Sequence, residues 1–467
     1  MKAWGLAAGI AVLGLMLLAP SPEGLSLEGW RVAAVLAVVL IWWLTEALPL
    51  AVTAVTPMVF FPLLGVAPAE EVARWYASPL VALVFGGAMI GIAIAKYGLH
   101  HRLAQAAVRV GGGGPRRLVL AVMIASALLG MWMVATVVTI IMLQAATALI
   151  AAATRADPDS PDARRFTRAM AIAVAYGAGL GSQASLVAAP ANAIGAGLIA
   201  RQTGEEITFV GWLAYGLPFA LAGLVIAWAV LTGVAFRFRL ALPARQDLAA
   251  ALGDGSQAAT AQRRVLAVAL AALAGLVALP WIKPFAPQLA DTVVVLAVAV
   301  LLFVLPSGEA RGERLLTWDD AKAAPWAVFI VMGAAVALAS GLNETGLAKW
   351  MAEPLAGLAG LPPWLALIGL VAGFALLTEV VNNFACTAIA VPAAVVLANA
   401  VGGDPVAFAV AATLASGGGY IVPGPPWLAL AVSVPGVRVA DLARAGVWMV
   451  AIAPVLIAAI ALAVAGR

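Results

Sequence analysis

Apolar stretches of roughly 20 residues recur along the whole chain, separated by short polar or charged segments. Roughly 20 residues is also the length of helix needed to cross the hydrocarbon core of a bilayer. Because no segment is left over for a separate soluble domain, we interpret residues 1–467 as one integral membrane domain. The pattern predicts about 11 transmembrane helices, at residues 4–19, 30–48, 50–66, 79–95, 168–200, 212–236, 265–282, 289–305, 325–342, 405–433 and 445–465.

Two further apolar segments do not fit single spans. They cover residues 117–153 and 363–403, and each is interrupted near its middle. Two full crossings joined by a turn need more than ~40 residues, so each segment is too short for a pair of spans. We therefore predict two re-entrant hairpins, which enter and leave the membrane by the same face and whose tips contact protein or water.

Composition agrees with an all-α polytopic membrane protein. Of the 467 residues, 64% are hydrophobic and 10% are charged, whereas soluble domains are about half apolar and a quarter charged. The net charge of +4 comes from basic residues scattered between apolar stretches, which argues against a nucleic-acid-binding surface. The single cysteine, Cys386, excludes an intrachain disulfide and is interpreted as a small buried thiol.

The distribution of Lys and Arg predicts the orientation. With a cytoplasmic N-terminus and two re-entrant hairpins, 20 of the 26 Lys and Arg residues fall on the cytoplasmic side, as the positive-inside rule favours. The first hairpin then opens from the cytoplasm, the second opens from the outside, and the C-terminus lies outside. The basic residues expected outside are Arg31, Arg74, Arg201, Lys283, Lys349 and Arg467.

The two halves of the chain resemble each other. Residues 85–104 (FGGAMIGIAIAKYGLHHRLA) match residues 331–352 (VMGAAVALASGLNETGLAKWMA) once two residues are inserted. In both halves 37 residues separate a glycine, Gly98 or Gly346, from the middle of the next hairpin, and a span broken by Gly and Pro follows. Inverted-topology repeats with interrupted helices are typical of secondary transporters. The predicted organisation is a first repeat over about 30–236, a linker over about 237–264 and a second repeat over about 265–465.

Polar residues are concentrated in the middle of the second hairpin. The stretch TEVVNNFACTAIAVP (378–392) places a carboxylate, Glu379, and two amides, Asn382 and Asn383, inside an apolar run. Such groups are costly in a membrane unless they have partners, which favours a functional or structural role for each. The amides are expected to contact substrate, to cap the hairpin's own helices, or both. For Glu379 we favour a structural partner over a proton relay, and both interpretations stay open.

A long motif carries a family resemblance. The stretch IWWLTEALPLAVTAVTPMVFFPLLGV (41–66) resembles the divalent anion–sodium symporter (DASS) family of di- and tricarboxylate transporters. The resemblance extends over nearly the whole chain, through both hairpins and both broken spans to VRVADLARAGVWM (437–449). It implies a homodimer in which a hairpin-bearing region moves against a fixed scaffold. It also implies that substrate carboxylates are held by the hairpin tips and by helix N-termini, with sodium held by oxygen ligands.

The chain departs from the family's Ser-Asn-Thr motif at both tips. At the first tip the motif falls on Val134, Ala135 and Thr136, and the family's preceding serine is Gly130, so three side-chain ligands are missing. We therefore predict that the first sodium site, near Gly130, Val134 and Ala135, is lost.

At the second tip the motif falls on Asn382, Asn383 and Phe384. Thr378 and Asn383 are expected to form a second sodium site. The broken spans also differ from the family's Thr-Pro-Pro-Asn, since they read Ala189-Pro190-Ala191-Asn192 and Gly424-Pro425-Pro426-Trp427. The predicted substrate-binding residues are Thr136, Asn382, Asn383, Phe384, Ala135, Pro190 and Pro425.

These features predict a secondary active transporter of small organic anions in the inner membrane, working by alternating access with sodium coupling reduced or absent. The expected partners are the anion, the bilayer and a second copy, without nucleic acid, and the expected cofactor is none beyond at most one Na⁺. The alternatives are an ion-independent exchanger or proton-coupled carrier of another anion, such as a less polar carboxylate or sulfate, and, more remotely, a passive channel. Enzyme activity is not expected, because the chain lacks His-Glu-x-x-His and a Ser–His pairing.

Overall fold

A computed structural model describes residues 3–253, 258–309, 312–352, 357 and 360–466. The described part is built of helices, with one isolated β-bridge between Pro306 and Arg314. The helices are α1 (Ala3–Leu18), α2 (Leu27–Thr45), α3 (Leu50–Thr53), α4 (Thr56–Leu63), α5 (Ala69–Tyr76), α6 (Pro79–Lys96), α7 (Leu99–Gly111), α8 (Pro115–Gly130), α9 (Ala135–Ala153), α10 (Pro161–Gln183), α11 (Pro190–Thr203), α12 (Phe209–Ala229), α13 (Arg245–Ala251), α14 (Ala259–Ile282), α15 (Asp291–Val304), α16 (Trp318–Ala321), α17 (Trp326–Glu344), α18 (Leu347–Ala352), α19 (Pro363–Leu377), α20 (Asn383–Val401), α21 (Pro405–Ser416), α22 (Pro426–Val432) and α23 (Val439–Ala465).

The predicted helical membrane fold is confirmed. Eight helical segments of the described chain are long and apolar enough to cross a membrane, and five shorter apolar segments accompany them, one of which combines α3 and α4. One predicted span has a different form. Residues 50–66 form two short helices, α3 and α4, rather than one continuous helix, and prolines stand at the N-cap of α3 and near the start and inside of α4. Proline lacks the N–H of a helical hydrogen bond, which accounts for the interruption.

Helix–turn–helix units lie where the sequence predicts hairpins. In the first, α8 and α9 are joined by residues 131–134, and in the second, α19 and α20 are joined by residues 378–382. In both units the second helix has 19 residues and the first is shorter, with 16 residues in α8 and 15 in α19. Whether these units are re-entrant remains a prediction.

Both predicted helix breaks are present. The apolar stretch 168–200 is divided into α10 and α11 by residues 184–189, and 405–433 is divided into α21 and α22 by residues 417–425. Pro190 begins α11 and Pro426 begins α22, positions where proline's fixed φ suits a helix start. Each break leaves unpaired backbone groups in the interior, and these need partners from elsewhere in the fold.

The two halves repeat the same order of elements. A long helix (α6 or α17) is followed by a glycine in the left-handed region, Gly98 with φ of 66° or Gly346 with φ of 75°, and then by a shorter helix, a helix–turn–helix unit and a broken helix. The 37-residue spacing from these glycines reaches Ala135 and Asn383, which are the first residues of α9 and α20. A left-handed residue favours glycine, so the match reflects a shared backbone geometry.

The linker and orientation predictions are only partly covered by the structure. The linker contains α13, its residues 254–257 lie outside the described residues, and α14 begins at Ala259, before the predicted end of the linker at 264. The basic residues Lys2, Arg311 and Arg467, which entered the orientation argument, also lie outside the described residues. The inverted topology and the positions of the termini remain predictions.

Helix α10 occupies the centre of the core, since its residues from Ala169 to Gln183 are all buried. The helix α8 packs against it at very short range. A Cβ added at Gly181 would lie 2.1 Å from Ala127 O, and one at Gly130 would lie 2.6 Å from Ala178 O. Only glycine allows such an approach, so this packing fixes the first hairpin turn against the first helix break.

Candidate functional site

The second hairpin turn is joined to the second break by hydrogen bonds. Thr378 Oγ1 lies 2.7 Å from Ser416 O and 3.2 Å from Asn383 Oδ1. The amide Nδ2 of Asn383 donates to Gly417 O at 3.1 Å and to Gly418 O at 3.2 Å. Two side-chain oxygens and three carbonyl oxygens therefore belong to one hydrogen-bonded group.

Glu379 holds the rest of the second break. Its carboxylate is buried, with the residue 6% exposed, and accepts three backbone N–H groups. Oε1 accepts from Tyr420 N at 2.6 Å, and Oε2 accepts from Ile421 N and Val422 N at 2.9 Å each. Protonation would convert one of these oxygens into a donor facing an N–H group. The arrangement favours the structural interpretation of Glu379 over a proton relay.

Asn382 caps the helix that follows it. It is the N-cap of α20, and its Oδ1 accepts from Ala385 N at 3.0 Å. Phe384, in the first turn of α20, is half-buried and packs against two apolar clusters of the core. Cys386 is a buried free thiol, as the sequence predicts, and its Sγ lies 3.7 Å from Phe374 O.

The first hairpin turn is apolar. Val134 is the N-cap of α9 and provides no side-chain cap, Ala135 is buried, and Thr136 is half-buried. Gly130 stands where the family carries a serine, and its backbone lies close to α10. Any side chain at this position would meet the Ala178 carbonyl. Glycine at this position is thus a packing requirement as well as a missing ligand.

An amide holds the first break. Asn192, fully buried in α11, donates through Nδ2 to the carbonyls of Ser182, Gln183 and Ser185 at 3.3, 3.1 and 3.0 Å. The Gln183 carbonyl also accepts from Trp212 Nε1 at 2.9 Å. The side-chain oxygens Asn192 Oδ1 and Gln183 Oε1 are buried and have no hydrogen-bond partner.

The two breaks contact each other in the interior. A Cβ added at Gly417 would lie 2.0 Å from Gln183 Nε2, and one at Gly179 would lie 2.9 Å from the Trp427 ring. Tyr176 donates its hydroxyl to Tyr420 O at 2.8 Å. The structure thus brings the second turn, the second break and the first break into one continuous region.

The predicted proline contacts fall within these breaks. Pro190 is buried at the first position of α11. Pro425 is the N-cap of α22, and its ring lies 2.9 Å from the point where a side chain on Gly419 would begin. Gly419 has φ of 113°, a conformation that only glycine adopts readily.

Sequence reasoning missed Gln183, Tyr176 and Tyr420. The only available signal was a polar or aromatic residue close to a Gly-rich interruption in an apolar stretch. That signal does not name a partner, because Tyr176 and Tyr420 are 244 positions apart.

The oxygens at the second turn suit a hard cation such as sodium. Thr378, Asn383 and the carbonyls of residues 416–418 supply five oxygens in one group, and sodium needs roughly five or six. A half-turn of the Asn383 amide would bring Oδ1 beside the carbonyls of residues 417 and 418. Across the described residues, no three Asp, Glu, His or Cys side chains are grouped as a transition-metal site would require.

Comparison with known proteins places the chain among carboxylate transporters. A family model described as "Citrate transporter" matches residues 40–414. The sodium-dependent dicarboxylate transporter SdcS of Staphylococcus aureus strain bovine RF122 / ET3-1 is 30% identical over 97% of this chain and 89% of its own length. SdcS of Staphylococcus saprophyticus is 30% identical over 95% of this chain and 88% of its own.

Solved structures support the fold. The Alcanivorax borkumensis YdaH transporter aligns with a TM-score of 0.56 and 17% identity, over 85% of this chain and 88% of that chain. Neisseria gonorrhoeae MtrF aligns with a TM-score of 0.54 and 13% identity, over 98% of this chain and 94% of that chain. The family match covers most of the sequence and the relatives match along nearly all of it, so this multi-pass membrane protein belongs to the citrate transporter family and is homologous to the sodium-dependent dicarboxylate transporters.

Proposed function

We propose that the protein is a secondary active transporter that moves small di- or tricarboxylate-like anions across the cell membrane by alternating access. The family and the names of the relatives support a carboxylate substrate. The observation that carries the proposal is the second hairpin turn, where Thr378 and Asn383 meet the carbonyls of a broken helix. Interrupted helices with polar tips are the usual binding elements of such transporters.

The substrate site in this proposal lies between the two turns and the two breaks. Capping of α20 uses the oxygen of Asn382 and leaves its NH₂ group to donate to a carboxylate, so both expected roles are compatible. The N-terminus of α20 adds partial positive charge at the same place. The remaining contacts are assigned to Thr136, Ala135, Asn383, Phe384, Pro190 and Pro425.

Sodium coupling is proposed to involve at most one ion per cycle. The five oxygens around Thr378 and Asn383 would hold that ion, whereas Gly130, Val134 and Ala135 provide no side-chain oxygen at the first turn. A sodium Hill coefficient near one, or transport without sodium, is expected.

The unpartnered oxygens of Gln183 and Asn192 are the groups that a first ion would have to use. They give this proposal a direct test. A Hill coefficient near two that falls to one in Gln183→Leu would show that the first site exists.

The assembly proposed is a homodimer in the inner membrane with two inverted repeats, residues 30–236 and 265–465, joined by the linker 237–264. The N-terminus is placed in the cytoplasm and the C-terminus outside. Cysteine-accessibility labelling at Ser21 and Ser256, after replacement of Cys386 by Ala, tests this topology: labelling of Ser21→Cys from outside only and of Ser256→Cys from inside only is expected.

Ion-independent exchange, or coupling to protons, is the second candidate. The missing ligands at the first turn favour it, as do the apolar side chains Phe384 and Trp427 at positions where the family carries Thr and Asn. Counterflow of labelled succinate in proteoliposomes without sodium distinguishes exchange from sodium symport.

The decisive experiment is uptake of labelled succinate, citrate and sulfate into proteoliposomes with and without a sodium gradient. Asn383→Ala is expected to abolish saturable uptake, while gel filtration shows the protein still folded. Asn343→Ala is the matched control because Asn343 lies in the last turn of α17, outside both turns, and it should transport normally. Normal uptake by Asn383→Ala would remove the second turn from the mechanism.

A further inference from the structure

A cavity of about 510 Å³ lies where helices α6, α12 and α15 begin and helices α11 and α14 end. None of the residues that line it belongs to the hairpin turns or to the breaks. Its volume falls in the range of pockets that enclose a small organic molecule. The proposed transport site does not use this cavity, which raises the question of its occupant.

Two helix N-termini at the cavity lack side-chain caps. Helix α6 begins after Ser78 and α15 begins after Ala290, and in neither does the N-cap side chain accept a backbone N–H. The first N–H groups of a helix have no intrahelical partner and carry partial positive charge. Helix α12 differs, because Thr208 caps it and Phe209 N donates to Asp291 Oδ2 at 2.6 Å. Asp291 already places a carboxylate in the first turn of α15, so the uncapped start of α6 is the helix end that can face an anion.

Ser78 independently indicates a missing polar partner. The residue lines the cavity, is 8% exposed, and its buried hydroxyl has no hydrogen-bond partner. Buried hydroxyl groups are normally paired, so an unpaired one in the wall of a cavity is a group that a polar ligand can engage once the side chain turns toward the cavity. Two cations, Arg201 and Lys283, stand in the same wall.

The rest of the wall disfavours a ligand that carries a second negative charge. Two acidic side chains, Glu206 and Asp291, also line the cavity and oppose a second negative charge. The remaining surface is mainly apolar, from Leu80, Leu83, Leu276, Leu279 and Val336. We propose that this cavity binds a monocarboxylate with a flexible apolar body, such as a medium-chain fatty acid. Its carboxylate lies at Ser78 and the start of α6, and its chain lies between α6 and α14.

Occupancy has a consequence for transport, and this part rests on the proposed function. The wall combines α6, α11 and α12, which precede the linker, with α14, α15 and α17, which follow it. A ligand that contacts helices from both sides of the linker stabilises the conformation in which these helices are packed together. Bound fatty acid is therefore expected to slow uptake.

Binding is measured on the full chain in nanodiscs of neutral lipid, with radiolabelled decanoate and empty nanodiscs as the background. Saturable binding is expected, displaced by unlabelled decanoate but not by decanol, which lacks the charge, or by succinate, which lacks the apolar body. Because this assay needs no transport, its failure is distinguishable from failure of the proposed function.

Variants locate the site. Ala200→Phe fills the cavity and should abolish binding, whereas Ser78→Ala combined with Lys283→Gln should weaken it roughly tenfold, as expected from the loss of about one strong polar contact. Ser78→Ala should not lower the Tm of the unliganded protein, because the hydroxyl it removes has no partner.

The control Lys349→Gln removes an exposed cation outside the cavity and should bind normally. Absence of saturable binding, equal displacement by decanol, or normal binding by Ala200→Phe would overturn the proposal.

Discussion

The two halves of this protein stabilise equivalent helix breaks with different sets of polar side chains, and only the second break adds a carboxylate to its amide donor. In the first half the amide of Asn192 donates to three carbonyls, and in the second half the carboxylate of Glu379 accepts from three N–H groups. In both, one buried side chain serves three backbone groups that the break leaves unpaired. The shared order of elements thus constrains where a partner is needed, while the backbone groups that the partner reaches, carbonyls at the first break and the N–H groups of residues 420–422 at the second, decide whether it must donate or accept.

The two hairpin turns also differ, since the first is apolar and the second is polar. The first turn carries the apolar residues Val134 and Ala135 and follows Gly130, which packs closely against α10. The second turn, with Thr378 and Asn383, joins its break through polar groups. Tight apolar packing leaves few groups that can exchange partners, whereas a hydrogen-bonded turn can give up its partners to a ligand. This contrast is why we assign substrate and ion binding mainly to the second turn.

The largest effect is expected from Glu379→Gln. The amide preserves the shape but supplies one acceptor oxygen instead of two, and places an NH₂ group against backbone donors. Loss of charge-assisted hydrogen bonds and unpaired buried N–H groups together should cost about 3 kcal/mol or more. The measurement is the Tm of the purified protein, with Glu46→Gln, at the exposed end of α2, as control. A Tm equal to that of the native protein, with uptake that has lost its pH dependence, would instead favour the proton-relay role.

The same substitution in the two halves should have opposite outcomes. Asn192→Asp replaces a donor by a carboxylate that faces three carbonyls, and a loss of about 2 kcal/mol or more is expected. Asn382→Asp keeps the acceptor that caps α20 and should change stability by less than ~0.5 kcal/mol. Its added negative charge should nevertheless weaken anion uptake. Equal Tm changes in the two variants would show that the donor role of Asn192 does not stabilise the first break.

The two hairpins should also respond differently to a methyl group. A Cβ at Gly130 in α8 would lie 2.6 Å from Ala178 O, so Gly130→Ala should destabilise the protein by about 1–3 kcal/mol. Gly373 in α19 has no atom near its Cβ position, so Gly373→Ala should stabilise by about 0.5–1 kcal/mol through helix propensity. Thermal unfolding of both variants tests the close packing of the first hairpin. A neutral Gly130→Ala would contradict it.

The smallest effect concerns His100, whose counterpart in the second half is Ala348. Burial, assisted by the neighbouring His101, lowers the pKa of His100 to about 4 from its ordinary value of 6.5. Protonation of His100 is therefore less favourable in the folded state than in the unfolded state. The free energy of unfolding is not reduced by this group above pH 6.5, and it decreases as the pH falls from 6.5 toward 4. His100→Ala should show a smaller drop in Tm between pH 7.5 and pH 5 than the native chain. Val110→Ala, an exposed position on the same helix, should show the full drop.

Much of the fold was predictable because it depends on local patterns. Apolar stretch length indicated the helices, and proline and glycine marked both breaks, where helices restart at Pro190 and Pro426. The 37-residue spacing located the first residues of α9 and α20 within their units. The exception is the stretch 50–66, where hydropathy predicted one span although prolines divide it into α3 and α4. Average hydropathy does not register where a backbone hydrogen bond is missing.

The candidate site was predictable in its residues but not in its contacts. The motif register identified Thr378, Asn382 and Asn383, yet it could not separate a cap from a ligand, and the structure shows Asn382 as a cap. Gln183 and Tyr176 were missed because an isolated polar residue in an apolar stretch carries no information about its partner. Gly130 was recognised as a lost serine, whereas its approach to α10 depends on how two helices pack.

The sequence by itself determined that this chain is an all-helical membrane protein of two similar halves, because helix length, hydropathy and residue spacing are properties read along one dimension. Only the tertiary structure decided that Glu379 serves the N–H groups of residues 420–422 and that Asn192 serves the first break. The physical reason is that a buried backbone group must be paired, but its partner is chosen by proximity in space, here across more than 40 positions of sequence in the second half.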